Sequence, residues 1–133
     1  ISNLLYNYNL MKKKIAILGS TSSIGKSLLS IINKDKKNYK VELLTANTNY
    51  RELIKQANKF KVKNLIISDY ASYKKIENIC KKKKINIFQN FKNLKKIFPK
   101  KIDYVMSSIS GIEGLLPTHN IIKHTKLIAI ANK

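Results

Sequence analysis

Lys14-Ile-Ala-Ile-Leu18 runs directly into Gly19-Ser-Thr-Ser-Ser-Ile-Gly25, and the reading of the fold starts at that junction. The first stretch is a short, almost continuous apolar run closed by glycine, the pattern of a strand buried on both faces of a parallel sheet. After the loop from Gly19 to Ser23, the apolar residues Ile24, Leu28, Ile31 and Ile32 recur at helical spacing until Asn33, Lys34 and Asp35 break the pattern. A glycine-bounded turn between a strand and a helix is a place to hold phosphate. Gly19 permits the tight exit from the strand, Gly25 lets the helix pack close to the sheet, and the unpaired N–H groups at a helix start can receive a pyrophosphate. The hydroxyls of Ser20, Thr21, Ser22 and Ser23 add further donors. The same residues also suit a plainer role, in which Thr21 or Ser22 only caps the helix.

Outward from this unit the alternation continues. Val41-Glu-Leu-Leu-Thr-Ala46 reads as a second strand, and Asn49 as the N-cap of a helix with Tyr50, Leu53, Ile54, Ala57 and Phe60 on one face. A strand over 64–68 follows, then a helix from about Ala71 to Lys82 with Tyr73, Ile76 and Cys80 inward, and a strand over 85–88. A short helical stretch near Leu94–Phe98 ends at Pro99. A strand over 103–107, a Ser/Gly turn, a helix around 112–123 and a last strand over 126–130 complete the chain. Strands alternating with helices in this way fold as a Rossmann-like, doubly wound α/β domain: a mostly parallel sheet with helices on both faces, joined by right-handed crossovers. Ligands of such folds bind at the carboxyl ends of the strands, here the loops after Leu18, Ala46, Ser107 and Ile130.

An absence refines the ligand. Domains that prefer NAD place an acidic residue at the end of the second strand for the ribose 2′-hydroxyl, whereas here the stretch is Ala46-Asn-Thr-Asn49, with Arg51 close by. Neutral and positive groups at that place favour the 2′-phosphate of NADP. Arg51 fits that role or that of a solvated helix residue.

Composition bounds the alternatives. At 133 residues there is room for one ordinary domain. Met11 stands just ahead of the first convincing strand, so residues 1–11 read as an extraneous or disordered leader and 12–133 as the domain. The opening stretch lacks the basic segment and small-residue cleavage site of a secretory signal, and no apolar run reaches the roughly 18 residues of a membrane span. The formal charge of +20 would ordinarily raise the possibility of a basic nucleic-acid-binding module. Apart from Arg51 the positive charge is lysine, accompanied by abundant Asn and Ile, a trio that AT-rich coding produces without any ligand. No nucleic acid or membrane partner is therefore expected. The single Cys80 cannot form an internal disulfide and reads as a structural thiol. His119 and His124 stand about 140° apart around a helix, and the seven carboxylates are scattered, so no metal site or catalytic residue is expected in this chain.

Four motifs taken together carry a resemblance. Lys14-Ile-Ala-Ile-Leu-Gly-Ser-Thr-x-Ser-Ile-Gly25, Ser108-Ile-x-Gly111, Gly114-Leu-x-Pro-Thr118 and Ile130-Ala-Asn-Lys133 resemble, in order and spacing, the successive motifs of the NADPH-binding domain of the 1-deoxy-D-xylulose 5-phosphate reductoisomerase family. The resemblance covers nearly everything from Lys12 onward. It implies an enzyme that makes 2-C-methyl-D-erythritol 4-phosphate, in non-mevalonate isoprenoid biosynthesis, by metal-assisted rearrangement and reduction with NADPH. It also implies that Gly19, Thr21, Ser22, Ser23, Ile24 and Gly25 surround the cofactor phosphates, and that Asn47, Thr48, Asn49 and Arg51 lie around the adenosine ribose and 2′-phosphate. By the same resemblance Asn132 reaches toward the nicotinamide and Lys133 toward the sugar-phosphate substrate.

In the family the chain continues past Asn-Lys into a catalytic domain whose Asp and Glu residues hold Mg²⁺ or Mn²⁺. Those residues are not among these 133, so by resemblance this portion is inactive alone. Its parent is a homodimer and, in its bacterial form, cytoplasmic. Three positions depart from the family pattern. Ser22 and Asn47 stand where glycine is usual, and Thr48 replaces a basic residue. If φ at Ser22 must be positive, the strain costs about 1 kcal/mol, whereas asparagine tolerates the left-handed region.

Overall fold

The computed structural model describes residues 11–109 and 111–131. Six strands form one sheet: β1 (Lys13–Leu18), β2 (Tyr39–Ala46), β3 (Asn64–Ile67), β4 (Asn86–Phe88), β5 (Ile102–Ser107) and β6 (Thr125–Ile130). All neighbouring pairs are parallel, in the order β4-β3-β2-β1-β5-β6. The chain winds outward from β1 to β4, returns to the other side of β1 and winds out again. The reversal leaves a crevice between the carboxyl ends of β1 and β5, the place where such sheets bind ligands.

Five α-helices are divided between the two faces: α1 (Ser23–Asn33), α2 (Tyr50–Phe60), α3 (Tyr70–Lys82), α4 (Leu94–Ile97) and α5 (Leu115–Ile121). Alternate residues of β1 serve the two faces. Ile15 and Ile17 pack with Leu29, Leu53 and Ile76 of α1, α2 and α3, while Ala16 and Leu18 pack with Leu94, Ile97 and Ile121 of α4 and α5. Ile17 and Leu18 are wholly buried, each worth about 2–3 kcal/mol of apolar transfer. This alternation within an unbroken apolar run is what makes β1 the central strand.

The helix boundaries follow local chemistry. Ser22, Asn49 and Asp69 each accept a backbone N–H three residues on, capping α1, α2 and α3. Asp69 starts α3 one residue before the expected Ala71. Lys61 and Lys84, following α2 and α3, adopt left-handed φ of 54° and 58°. Val62 and Ile85 then bond back to the carbonyls of Ala57 and Cys80, so burial of the next apolar residue offsets the cost of a non-glycine cap.

Two expectations are corrected, and the register of β2 adds a feature the sequence did not show. The buried face of α1 is Gly25, Leu29 and Ile32, and Ile31 is exposed, because the position of Gly25 sets the helix rotation. The helix expected around 112–123 is a 3-10 turn at Gly111–Gly114, α5, and a second 3-10 turn at Ile122–His124. In β2 the register against β1 shifts at Glu42, so that Val41 opposes Ile15 and Leu43 opposes Ala16. The bulge sends Val41 and Leu43 to opposite cores, a parity change hidden in an apolar run. The expectations for residues 1–10, Asn132 and Lys133 lie outside the described residues. Among the described residues no helix is long and apolar enough to cross a membrane.

Candidate functional site

The crevice at the sheet's carboxyl end opens as a cleft of about 630 Å³. Its floor is the turn after β1, through Gly19, Thr21 and Ser22, together with Thr45, Ala46 and Asn47 at the end of β2 and Ser68 after β3. Ser108 and Ile109 after β5 form one wall. Gln89, Asn90, Phe91 and Lys92 after β4 and Leu116, Pro117 and Asn120 of α5 form the other.

The turn is tightly built. Gly19 has φ +73°, and a Cβ there would stand 3.0 Å from the Ser108 hydroxyl. Gly25 approaches more closely still, since a Cβ would meet the Gly19 carbonyl oxygen at 2.5 Å and Ser20 Cα at 2.6 Å. Gly25 therefore serves the approach of α1 to the turn itself, while Gly19 makes room for Ser108 and Ile109 after β5. Three ties fix the turn from outside: Gly19 N–H donates to Thr45 Oγ1 (2.9 Å), Ser20 N–H to the Thr45 carbonyl (2.9 Å), and Ser108 N–H to the Leu18 carbonyl (2.9 Å).

The four hydroxyls divide into two classes. Ser20 is fully buried and donates to Gln56 Oε1 at 2.7 Å, so it faces away from the cleft and is not the phosphate donor expected of it. Ser22 Oγ accepts the Gly25 N–H at 3.1 Å and lies 2.8 Å from the Gly19 carbonyl. Among the described residues, by contrast, the side chains of Thr21 and Ser23 and the N–H groups of Thr21, Ser23 and Ile24 have no protein acceptor. Unpaired N–H groups at the start of an 11-residue helix with no acid in its first turn make an anion site.

Ser22 has φ −71° and ψ 167°, extended backbone that any residue adopts. The strain cost contemplated for a serine here does not arise. Asn47 is not left-handed either, since among the described residues only Lys61 and Lys84 are non-glycines with positive φ.

At the end of β2, Asn47 lines the cleft and its Oδ1 accepts from Ser68 Oγ at 3.1 Å. Thr48 and Asn49 are exposed and stand outside the lining; Asn49 is occupied in capping α2. Arg51 points elsewhere, with its guanidinium carbon 5.7 Å from the Tyr50 ring centre. The cation lining the cleft is Lys92, whose N–H is held by Asn90 Oδ1 at 3.0 Å. Asp69, following β3, is turned to α3, where the hydroxyl and N–H of Ser72 hold its carboxyl below the usual carboxylate range. Sequence reasoning missed the Gln89–Lys92 wall. The segment lacks glycine or proline punctuation, and only the turn of the chain onto the other face brings it over the cleft.

The remaining candidates for chemistry are separate. Cys80 is buried and its thiol is pushed up by desolvation. His119 is exposed on α5, and His124 lies against Phe98 with ring centres 6.3 Å apart. Among the described residues no three of His, Cys, Asp and Glu come together to hold a metal ion.

A parallel doubly wound sheet whose first βα turn presents unpaired N–H groups to a cleft at the strand reversal defines a Rossmann-like nucleotide-binding domain. The family model of 1-deoxy-D-xylulose 5-phosphate reductoisomerase matches residues 15–133, and the chain belongs to that family. It is 58% identical over 123 residues to the reductoisomerase of Pelagibacter ubique, covering 91% of this chain and 32% of that protein. To the enzyme of Phocaeicola vulgatus it is 39% identical over 124 residues, 92% of this chain and 32% of the relative. Among solved structures, the Zymomonas mobilis reductoisomerase in complex with NADPH superposes with a TM-score of 0.81 at 29% identity, over 92% of this chain and 32% of that one. A DOX-P reductoisomerase in complex with NADPH, fosmidomycin and magnesium gives 0.79 at 28% identity, over 90% and 30%. The chain thus spans about a third of the length of the relatives it matches.

Proposed function

We propose that this chain is the NADPH-binding portion of a reductoisomerase acting on 1-deoxy-D-xylulose 5-phosphate. The observation that carries the reading is the row of N–H groups at Thr21, Ser23 and Ile24 that have no acceptor among the described residues, presented where Gly25 lets α1 close on Gly19 and Ser20. A pyrophosphate there takes up donors that the protein leaves unused, so Thr21, Ser22, Ser23 and Ile24 surround it. The adenosine half extends over Asn47 at the end of β2, a neutral residue; the carboxylate that lines the cleft, Glu113, belongs to the 3-10 turn before α5. Lys92 supplies the positive charge on that cleft, in place of Arg51.

The nicotinamide half runs toward the end of β6, where Asn132 and, for the sugar phosphate, Lys133 would follow. When bound, NADPH supplies the hydride of the reductive step; the chain's own residues bind and orient it. The metal ion and the groups that handle the substrate belong to the remainder of the longer polypeptide, which on this reading is a cytoplasmic homodimer. Titration of the 133-residue chain with NADPH and, in parallel, NADH tests the reading. Saturable binding with preference for NADPH is expected, and no binding of either nucleotide overturns it.

A further inference from the structure

We infer that Gln56, a residue of α2 outside the cleft, is a positioning residue that aims the phosphate-binding turn. The inference rests on the nucleotide reading above. Gln56 is 5% exposed, and a buried primary amide must find hydrogen-bond partners. Its two short bonds fall on one residue, 36 positions away: Ser20 Oγ donates to Gln56 Oε1 at 2.7 Å, and Gln56 Nε2 donates to the Ser20 carbonyl at 3.0 Å, its other contact being a longer one from Nε2 to Glu52 Oε1 at 3.5 Å. The two bonds run in opposite senses. Turning the amide over would set its oxygen against the Ser20 carbonyl, acceptor against acceptor, so the orientation is determined.

The consequence lies in the peptide plane. The Ser20 carbonyl and the Thr21 N–H belong to one planar trans peptide and point in opposite directions. Gln56 holds the carbonyl toward α2. The Thr21 N–H is thereby turned the other way, and Thr21 lines the cleft with an N–H that no described protein atom accepts. The preceding peptide is fixed separately, through the Ser20 N–H on the Thr45 carbonyl at 2.9 Å. Remove the Gln56 amide, and nothing on the helix side holds the Ser20–Thr21 plane, although the apolar packing of α2 through Leu53 and Ala57 is untouched.

The test replaces Gln56 with methionine, of similar length and without hydrogen bonds, and measures binding of three ligands to the 133-residue chain: NADPH, NADH and adenosine 2′-monophosphate. Q56M is expected to weaken NADPH and NADH alike, by about tenfold, and to leave adenosine 2′-monophosphate unchanged because it lacks the pyrophosphate that meets Thr21. A parallel loss of all three ligands means general loosening and overturns the inference, as does unaltered binding of the dinucleotides. Should Q56M not fold, S20A removes the bond to Oε1, together with a long contact to the Thr45 carbonyl at 3.4 Å, and keeps the Nε2 bond to the Ser20 carbonyl. The same ligand pattern is then expected at about two- to threefold, and its absence is equally decisive. Failure of the parent chain to bind either dinucleotide would instead overturn the nucleotide reading itself, and the inference with it.

Discussion

The hydroxyl oxygens of Ser22 and Ser108, 86 positions apart in the chain, stand 3.1 Å from one another. Ser108 Oγ also lies 2.8 Å from the Leu18 carbonyl and 2.7 Å from the Gly19 carbonyl. The sheet order makes the meeting possible, because β5 pairs directly with β1 and delivers its carboxyl end beside the turn. S108A is therefore expected to lower stability by about 1 kcal/mol, the net worth of the hydrogen bond lost, since the Leu18 and Gly19 carbonyls keep the Ser108 N–H and Ser22 as donors, and to weaken NADPH severalfold by loosening the turn. Urea unfolding and a nucleotide titration on the same preparation check both parts.

Ser22 lends itself to a sharper prediction, because the family resemblance leads to the expectation of glycine at this place. With extended φ and a side chain that caps α1, serine is at ease here. S22G is expected to leave NADPH affinity unimproved and to cost only a few tenths of a kcal/mol, whereas S22A costs about 1 kcal/mol through loss of the cap. A tenfold gain in affinity on S22G would show that the serine side chain obstructs the phosphate after all.

How far the sequence foretold this molecule depends on the range of the interactions involved. The alternation of strands and helices and the turn after β1 were legible because they rest on local signals: an apolar run, a glycine at each end of the turn, capping residues at the helix starts. What was not legible depends on juxtaposition. Ser20 reads as one hydroxyl among four until Gln56 is seen opposite it. Arg51 is near Asn47 in sequence, yet it lies over Tyr50, while Lys92, far along the chain, lines the cleft. The bulge at Glu42 was hidden because Val41, Leu43 and Leu44 are apolar on both sides of it.

His124 should report on the integrity of the α4–α5 face. Desolvation against Phe98, with Lys123 and Lys95 nearby, lowers its pKa below the ordinary 6.5. A group whose folded pKa is depressed in this way is neutral in the native state while the unfolded chain takes up the proton. Stability is thus unaffected above about pH 6.5 and falls as pH drops from there toward the lower folded pKa. Thermal midpoints of the parent chain and H124Q, compared between pH 5 and 8, are expected to diverge only on the acid side, with the parent losing more.

Lys92 bears on the choice between the two nicotinamide cofactors. Among the residues lining the cleft it is the cationic side chain, and Asn90 fixes its backbone. It follows β4, on the same side of β1 as β2 and β3, and so on the adenosine side of the pyrophosphate. Among the described residues it makes no salt bridge, which leaves its ammonium available to an incoming anion. K92Q keeps the reach of the side chain and removes the charge. It is expected to weaken NADPH by about tenfold, or about 1.4 kcal/mol, and to leave NADH unchanged, since NADH has no 2′-phosphate to lose. Because a partly exposed charge contact is screened, the difference should shrink as salt is raised from 0.05 to about 0.5 M. Equal weakening of both nucleotides would place Lys92 on the pyrophosphate instead. Retention of NADPH preference by R51Q, measured beside it, would separate the cation on the cleft from the one that only lies close to Asn47 in sequence.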